Sequence, residues 1–165
     1  MNMQNDSDNA TNTPLCAANT LSSNVPVSSG TKRNHTLLEA KEAITQLGGF
    51  VGRIQLEILG NQCRGEEGQF FIDLLVELAH TVSTMPVTYQ TEGQGSQALV
   101  YLHYFTSGAD WYLTERDCES EQLQAFGLAD LGYGTELGYI SLVELLECNA
   151  ELDLYWTPKK VVEIG

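Results

Sequence analysis

The stretch ALVYLHYFTSGADWYLTE, residues 98–115, decides the reading of the fold. Two runs rich in β-branched and aromatic residues flank the polar Thr106-Ser107-Gly108-Ala109. Such runs around a short glycine-containing turn predict a β-hairpin, with Gly108 expected to supply a positive φ. If Ser107-Gly108 is a two-residue loop, Tyr104 pairs with Trp111, Leu102 with Leu113 and His103 with Tyr112. Strand side chains alternate between faces, so the hairpin sorts into two sets. Val100, Leu102, Tyr104, Trp111 and Leu113 form a core face. Tyr101, His103, Phe105, Asp110, Tyr112 and Thr114 form a mixed face of phenols, an imidazole and a carboxylate. A one-residue slip would exchange the faces of one strand, so the sorting depends on the register. The mixed face is either ordinary sheet surface with a satisfied histidine, or a ligand surface built on Tyr101, His103, Asp110 and Tyr112.

Upstream of the hairpin the pattern changes period. Thr36-Leu37-Leu38-Glu39 fits a capping box, in which the Thr hydroxyl and the Glu carboxylate each take an orphan N–H. Leu37, Ala40, Ile44, Leu47, Val51, Ile54 and Ile58 then recur at spacings of three and four, a stripe on one helix face. Gly48-Gly49 interrupts it at about 1 kcal/mol per glycine in a helix. The unbroken phase predicts one long or slightly bent helix; the alternative is a break at the glycines with residues 53–59 as a strand. A second helix is expected over residues 66–85, with Phe71, Leu75, Leu78, Val82 and Met85 inward and Pro86 as its stop. The two helices read as an antiparallel hairpin, residues 34–86, that packs on the sheet or offers a surface for a homodimer.

Downstream, a polar loop over 116–122 leads to a third strand over 124–130, a turn at Leu131-Gly132-Tyr133-Gly134 and a short strand over 137–140. Ser141 and Glu144 match a second capping box and open a short helix. Asn149 is a plausible left-handed stop. The alternation of Leu152, Asp153, Leu154, Tyr155 and Trp156 predicts a final strand closed by Pro158.

The 165 residues suffice for one domain with a core, and a hydrophobic content of 42% is that of a globular chain. Residues 1–33 are rich in Asn, Ser and Thr and poor in aliphatic side chains, which predicts a disordered tail before a single α+β domain over 34–165. The first residues have neither a basic nor an apolar segment of a secretory leader. No apolar run reaches membrane-spanning length; the longest, residues 70–79, is broken by Asp73 and Glu77. Cys16, Cys63, Cys118 and Cys148 are scattered, with no zinc-ligand spacing. A cytoplasmic protein is expected, without membrane contact.

The net charge of −14 is unevenly placed. Residues 1–41 balance, whereas residues 66–153 hold sixteen acids against the single base Arg116. Nucleic-acid binding relies on Lys and Arg displacing counterions, so direct binding of DNA or RNA is not expected. The excess acid serves either solubility or a partner with a basic surface. Candidates for a partner-binding acidic face are Glu115, Asp117, Glu119, Glu121, Glu136, Glu147, Glu151 and Asp153.

Catalytic constellations are missing from the sequence. There is no nucleophile elbow and no phosphate-cradling loop, and no cofactor is implied. His103, Asp110, Glu115 and Asp117 lie close in sequence, but regular alternation puts Glu115 on the face opposite His103 and Asp110. No metal site is therefore expected.

Several segments together are similar to a known family. They are Tyr104-Phe105-Thr106, residues 110–115 (DWYLTE), residues 125–128 (AFGL), residues 136–145 (ELGYISLVEL) and residues 153–158 (DLYWTP). Over residues 98–162 the chain resembles a family of small bacterial proteins of unknown function carried on plasmids, integrative elements and related mobile DNA. The resemblance implies genes placed near plasmid-maintenance and antirestriction functions. It supplies no catalytic set, and it leaves the helical hairpin and the tail as additions to the shared core. The combined expectation is an α+β fold: a helical hairpin packed on a small, mainly antiparallel sheet with one short C-terminal helix. The functional expectation is a non-enzymatic mobile-element accessory that binds a basic host or plasmid protein. Its sharpest form is an antirestriction factor acting by DNA mimicry. The alternative is a small ligand-binding domain or enzyme using the Tyr101, His103, Asp110 and Tyr112 face.

Overall fold

A computed structural model describes residues 34–164. The expected tail, residues 1–33, and Cys16 lie outside the described residues. The domain is α+β. Helices α1 (Leu37–Leu47), α2 (Arg53–Gln62) and α3 (Gly68–Thr84) precede the strands. These are β1 (Leu99–Val100), β2 (Leu102–Phe105), β3 (Asp110–Arg116), β4 (Gln124–Asp130) and β5 (Thr135–Ser141). Helix α4 (Leu142–Glu147) follows, then β6 (Glu151–Leu152) and β7 (Lys159–Lys160). The main sheet is antiparallel with order β5-β4-β3-β2-β6, and β1 pairs separately with β7.

The stripe does not run through one helix. Thr36 caps α1 as a full capping box with Glu39, but the chain leaves the helix at Gly48 and re-enters at Arg53. Breaking at the glycine pair lets the consecutive Phe50 and Val51 both reach the core, at 3% and 1% exposure. On a continuous helix they would point about 100° apart. The second segment is helical rather than a strand, and its phase has shifted. Leu59 is buried and Leu56 half-buried, whereas Ile54 and Ile58 are 63% and 55% exposed. The expected hairpin is therefore three helices, with α1 packed along α3. Helix α3 buries Ile72, Leu75, Ala79 and Val82 and stops before Pro86, whose ring cannot continue it.

The hairpin register is the one the alternation predicts: Leu102 opposite Leu113, His103 opposite Tyr112, Tyr104 opposite Trp111. The turn differs in conformation, since neither Ser107 nor Gly108 has a positive φ. It closes instead through Thr106, whose N–H donates to the Ala109 carbonyl at 2.8 Å. Positive φ is used at the β4–β5 turn, by Gly132 and Gly134.

The inner face carries Leu102, Tyr104, Leu113, Ala125 and Ile140, which join the buried side chains of α1, α2 and α3 in one core. Tyr104 is fully buried, and its hydroxyl donates to the Phe50 carbonyl at 2.7 Å. That bond ties the helix break to the centre of the sheet. Tyr104→Phe leaves the carbonyl buried without a donor and is expected to lower stability by about 1–3 kcal/mol in urea denaturation. An unchanged midpoint would mean that the bond contributes nothing net.

Two further expectations are corrected. The final strand over 152–156 stops at Leu152. Asp153 Oδ1 accepts the Tyr155 N–H at 3.0 Å, which turns the chain and brings Trp156 back over the sheet. Strand β3 also contains a bulge between Leu113 and Glu115. Glu115 consequently pairs with Phe126, on the same face as Tyr112, and not on the core face that regular alternation assigns to it. The opposite strand accommodates the bulge with Gly127, where a Cβ would lie 2.0 Å from the Tyr112 carbonyl oxygen.

Candidate functional site: the outer face of the sheet

Cross-strand pairing places the outer-face residues in rows. One row runs Glu151, Phe105, Asp110, Asp130 and Thr135 across β6, β2, β3, β4 and β5. The next holds His103, Tyr112, Leu128 and Leu137, and beyond it Phe126 faces Tyr139. Among the described residues these strands contain one Lys or Arg, Arg116. Its guanidinium is engaged with the carbonyls of Asp117 and Ser83. The face is therefore aromatic at its centre, with carboxylates at the end nearest the hairpin turn. Phe105, Leu137 and Tyr139 are exposed on it.

His103 forms the densest polar cluster. Its Nε2 lies 2.8 Å from Asp110 Oδ1 and its Nδ1 3.2 Å from Asp153 Oδ2. A neutral imidazole carries one N–H, so only the doubly protonated ring donates to both carboxylates. The ring stacks on Tyr112 at 4.7 Å, and Trp156 approaches both rings from the returning C-terminal segment. Lys159 Nζ sits 4.6 Å over the Trp156 ring. Burial, and after it the charges of Asp110 and Asp130, push the Tyr112 phenol up.

Three of the four proposed ligand-face residues, His103, Asp110 and Tyr112, are thus brought together. Tyr101 is not in the cluster; it lines a small depression of about 130 Å³ with Glu77, Trp156 and Pro158. Both His103 nitrogens face carboxylates, which leaves neither free to act as a general base. The cluster works as a strut joining β2, β3 and the C-terminal turn. His103→Leu removes both links and the stacking, and about 1–2 kcal/mol of stability should go with them, since Asp110 and Asp153 are partly solvated. Thermal denaturation checks this, and an unchanged melting temperature would refute the strut.

The structure divides the proposed acidic face. Glu115 and Asp117 are buried, at 2% exposure each. Glu115 accepts the N–H groups of Tyr89 and Thr91; Asp117 accepts those of Glu119 and Gln124. Both are structural acceptors, not surface charges. Asp153 is committed to His103 and Tyr155. Glu119, Glu121, Glu136, Glu147 and Glu151 are exposed, but not on one patch. Glu119 and Glu121 lie in the β3–β4 loop, at the end of the sheet away from Glu136 and Glu151. What the register does assemble is a band at the hairpin-turn end of the outer face, Glu151, Asp110 and Asp130, whereas Glu136 pairs with Ala129 and points to the opposite face. Asp130 was missed from sequence, because only the pairing of β3 with β4 shows that it stands opposite Asp110.

Among the described residues, no group of three or more His, Cys, Asp or Glu side chains could hold a metal ion, and no helix is long and apolar enough to cross a membrane.

The fold and this surface define an α+β domain in which helices back one face of an antiparallel five-stranded sheet and the other face is aromatic, partly covered and acidic at one end. The chain belongs to a family of proteins of unknown function, DUF2958, whose model matches residues 75–157. No curated protein and no solved structure matches it. The match begins inside α3, so part of the helical layer belongs to the shared core and is not an addition to it.

Proposed function

We propose that the protein is a non-enzymatic accessory factor of a mobile genetic element that binds a host or plasmid protein through a basic surface on that partner. The observation that carries this reading is the carboxylate band of Glu151, Asp110 and Asp130 beside an exposed aromatic sheet face. Aromatic residues give contact area at low entropic cost, and an acidic rim steers a basic partner and rejects phosphate backbones. The mobile-element context rests on the sequence resemblance. The engagement of both His103 nitrogens favours binding over catalysis at this face.

The test is capture on the immobilised full chain from a bacterial host lysate at low and high salt, followed by identification of what is retained. A protein with a basic surface should be held at low salt and released as salt rises. Release of that protein by added duplex DNA would support the narrower antirestriction reading, in which the acids occupy a DNA-binding groove. Retention that ignores salt, or no basic protein at low salt, would rule the proposal out.

A further inference from the structure

At the far end of the outer face, the segment after α3 folds against the sheet and borders a half-open cleft of about 400 Å³. Its walls include the rings of Tyr89, Phe126 and Tyr139, with Leu137 and Val161 completing an apolar lining. Phe126 and Tyr139 meet edge to face, with ring centroids 5.3 Å apart. Two carboxylates also line it, Glu92 and the buried Glu115, and no Lys or Arg does. Glu115 takes two backbone N–H groups, and among the described residues no cation pairs with it. Each carboxylate oxygen keeps further acceptor capacity after one such bond.

The same carboxylate shapes the wall. Tyr89 holds a φ of 76°, a left-handed conformation that is uncommon for an aromatic residue. Glu115 accepts the Tyr89 N–H at 2.9 Å and that of Thr91 two residues on. The bulge that turns Glu115 onto the outer face therefore fixes the loop that presents the Tyr89 ring. Backbone strain of this kind persists where surrounding contacts over-determine it, and it clusters at ligand clamps.

We propose that this cleft is a binding site for an organic cation, an ammonium or guanidinium on an apolar stem. Aromatic rings attract such a cation through their negative faces, and the cation is favoured further where a carboxylate is close and water is displaced. The same chemistry is offered by a free small amine and by a lysine or arginine side chain of a bound protein. The site's preference for cations does not depend on the carboxylate band at the other end of the sheet.

The experiment is a titration of the ¹⁵N-labelled full chain, followed at the amides of Thr91, Glu92, Gly93 and Gly95. The probes are butylammonium, its neutral counterpart 1-butanol, and a blocked lysine tripeptide with its norleucine counterpart. A cation should shift these amides and bind at least about tenfold more tightly than its neutral counterpart. Tyr139→Ala, at an exposed position that leaves the core intact, should remove most of that difference, and Glu92→Gln part of it. Saturation by butylammonium alone identifies a small-molecule site; saturation by the lysine tripeptide alone identifies a side-chain socket. Equal affinity for neutral and cationic probes, absence of shifts with every cation, or a Tyr139→Ala variant with unchanged selectivity would each overturn the proposal.

Discussion

Gly127→Ala is expected to be the most damaging single methyl addition in the domain. A Cβ at this position would lie 2.0 Å from the Tyr112 carbonyl oxygen and 2.9 Å from the Leu113 Cα. Both are backbone atoms of the adjacent strand, so no side chain can rotate aside. Relief requires β3 and β4 to separate in the middle of the sheet, next to the fully buried Leu113. A loss of about 4 kcal/mol or more is expected, enough to unfold a marginal domain. Chemical denaturation, or failure to recover soluble protein, reads this out. Stability within about 1 kcal/mol of the parent chain would show that the strands are not packed at the bulge as described.

Glu115→Ala is the second large effect. The part-buried N–H of Tyr89 and the buried N–H of Thr91 lose their acceptor, while Tyr89 is still required to hold a positive φ. Hydrogen bonds to a charged group contribute about 1.5–3 kcal/mol each, and a buried donor left unpaired costs a similar amount. A total of about 2–4 kcal/mol is expected if the loop relaxes toward water. The loss should be local as well as global. Amide exchange over residues 88–95 should accelerate strongly, with the helical core protected up to the new global limit. Glu115→Gln keeps one acceptor oxygen but directs an NH₂ group at a backbone N–H, so it should recover only part of the loss. If exchange over 88–95 matched the parent chain, the loop would have another anchor.

Much of this architecture was legible because it is local. The hairpin register follows from alternation on both sides of a two-residue loop, and Thr36 with Glu39 marks the start of α1 as its spacing indicates. Asn149 adopts the left-handed conformation expected of a helix stop, with φ 58°. The misses share a cause: each depends on a partner distant in sequence. The heptad-like stripe suggested a continuous helix, but the core rewards breaking it, since Phe50 and Val51 are both buried and the Phe50 carbonyl meets Tyr104. The bulge at Thr114 has no signature within β3 itself; its trace is Gly127, on another strand. Without it, alternation assigns Glu115 to the wrong face. The His103 cluster was half visible. Asp110 and Tyr112 follow from the hairpin, whereas Asp153 and Trp156 arrive from a C-terminal turn that alternation disguised as a strand.

The surface charge was legible in amount and not in placement. Burial of Glu115 and Asp117 removes two acids from any contact surface. Sheet pairing adds Asp110 and Asp130 to Glu151 at one end of the outer face and turns Glu136 to the other face. The claim that this band recognises a basic partner is tested most directly by neutralising it without touching the fold. Asp130→Asn and Glu151→Gln should be combined in one chain and compared with the parent and with His103→Leu, by partner capture at low salt. The combined variant should fold normally and lose the basic partner, while His103→Leu, if folded, should retain it. Undiminished capture by the neutralised chain, or loss confined to His103→Leu, would contradict the account.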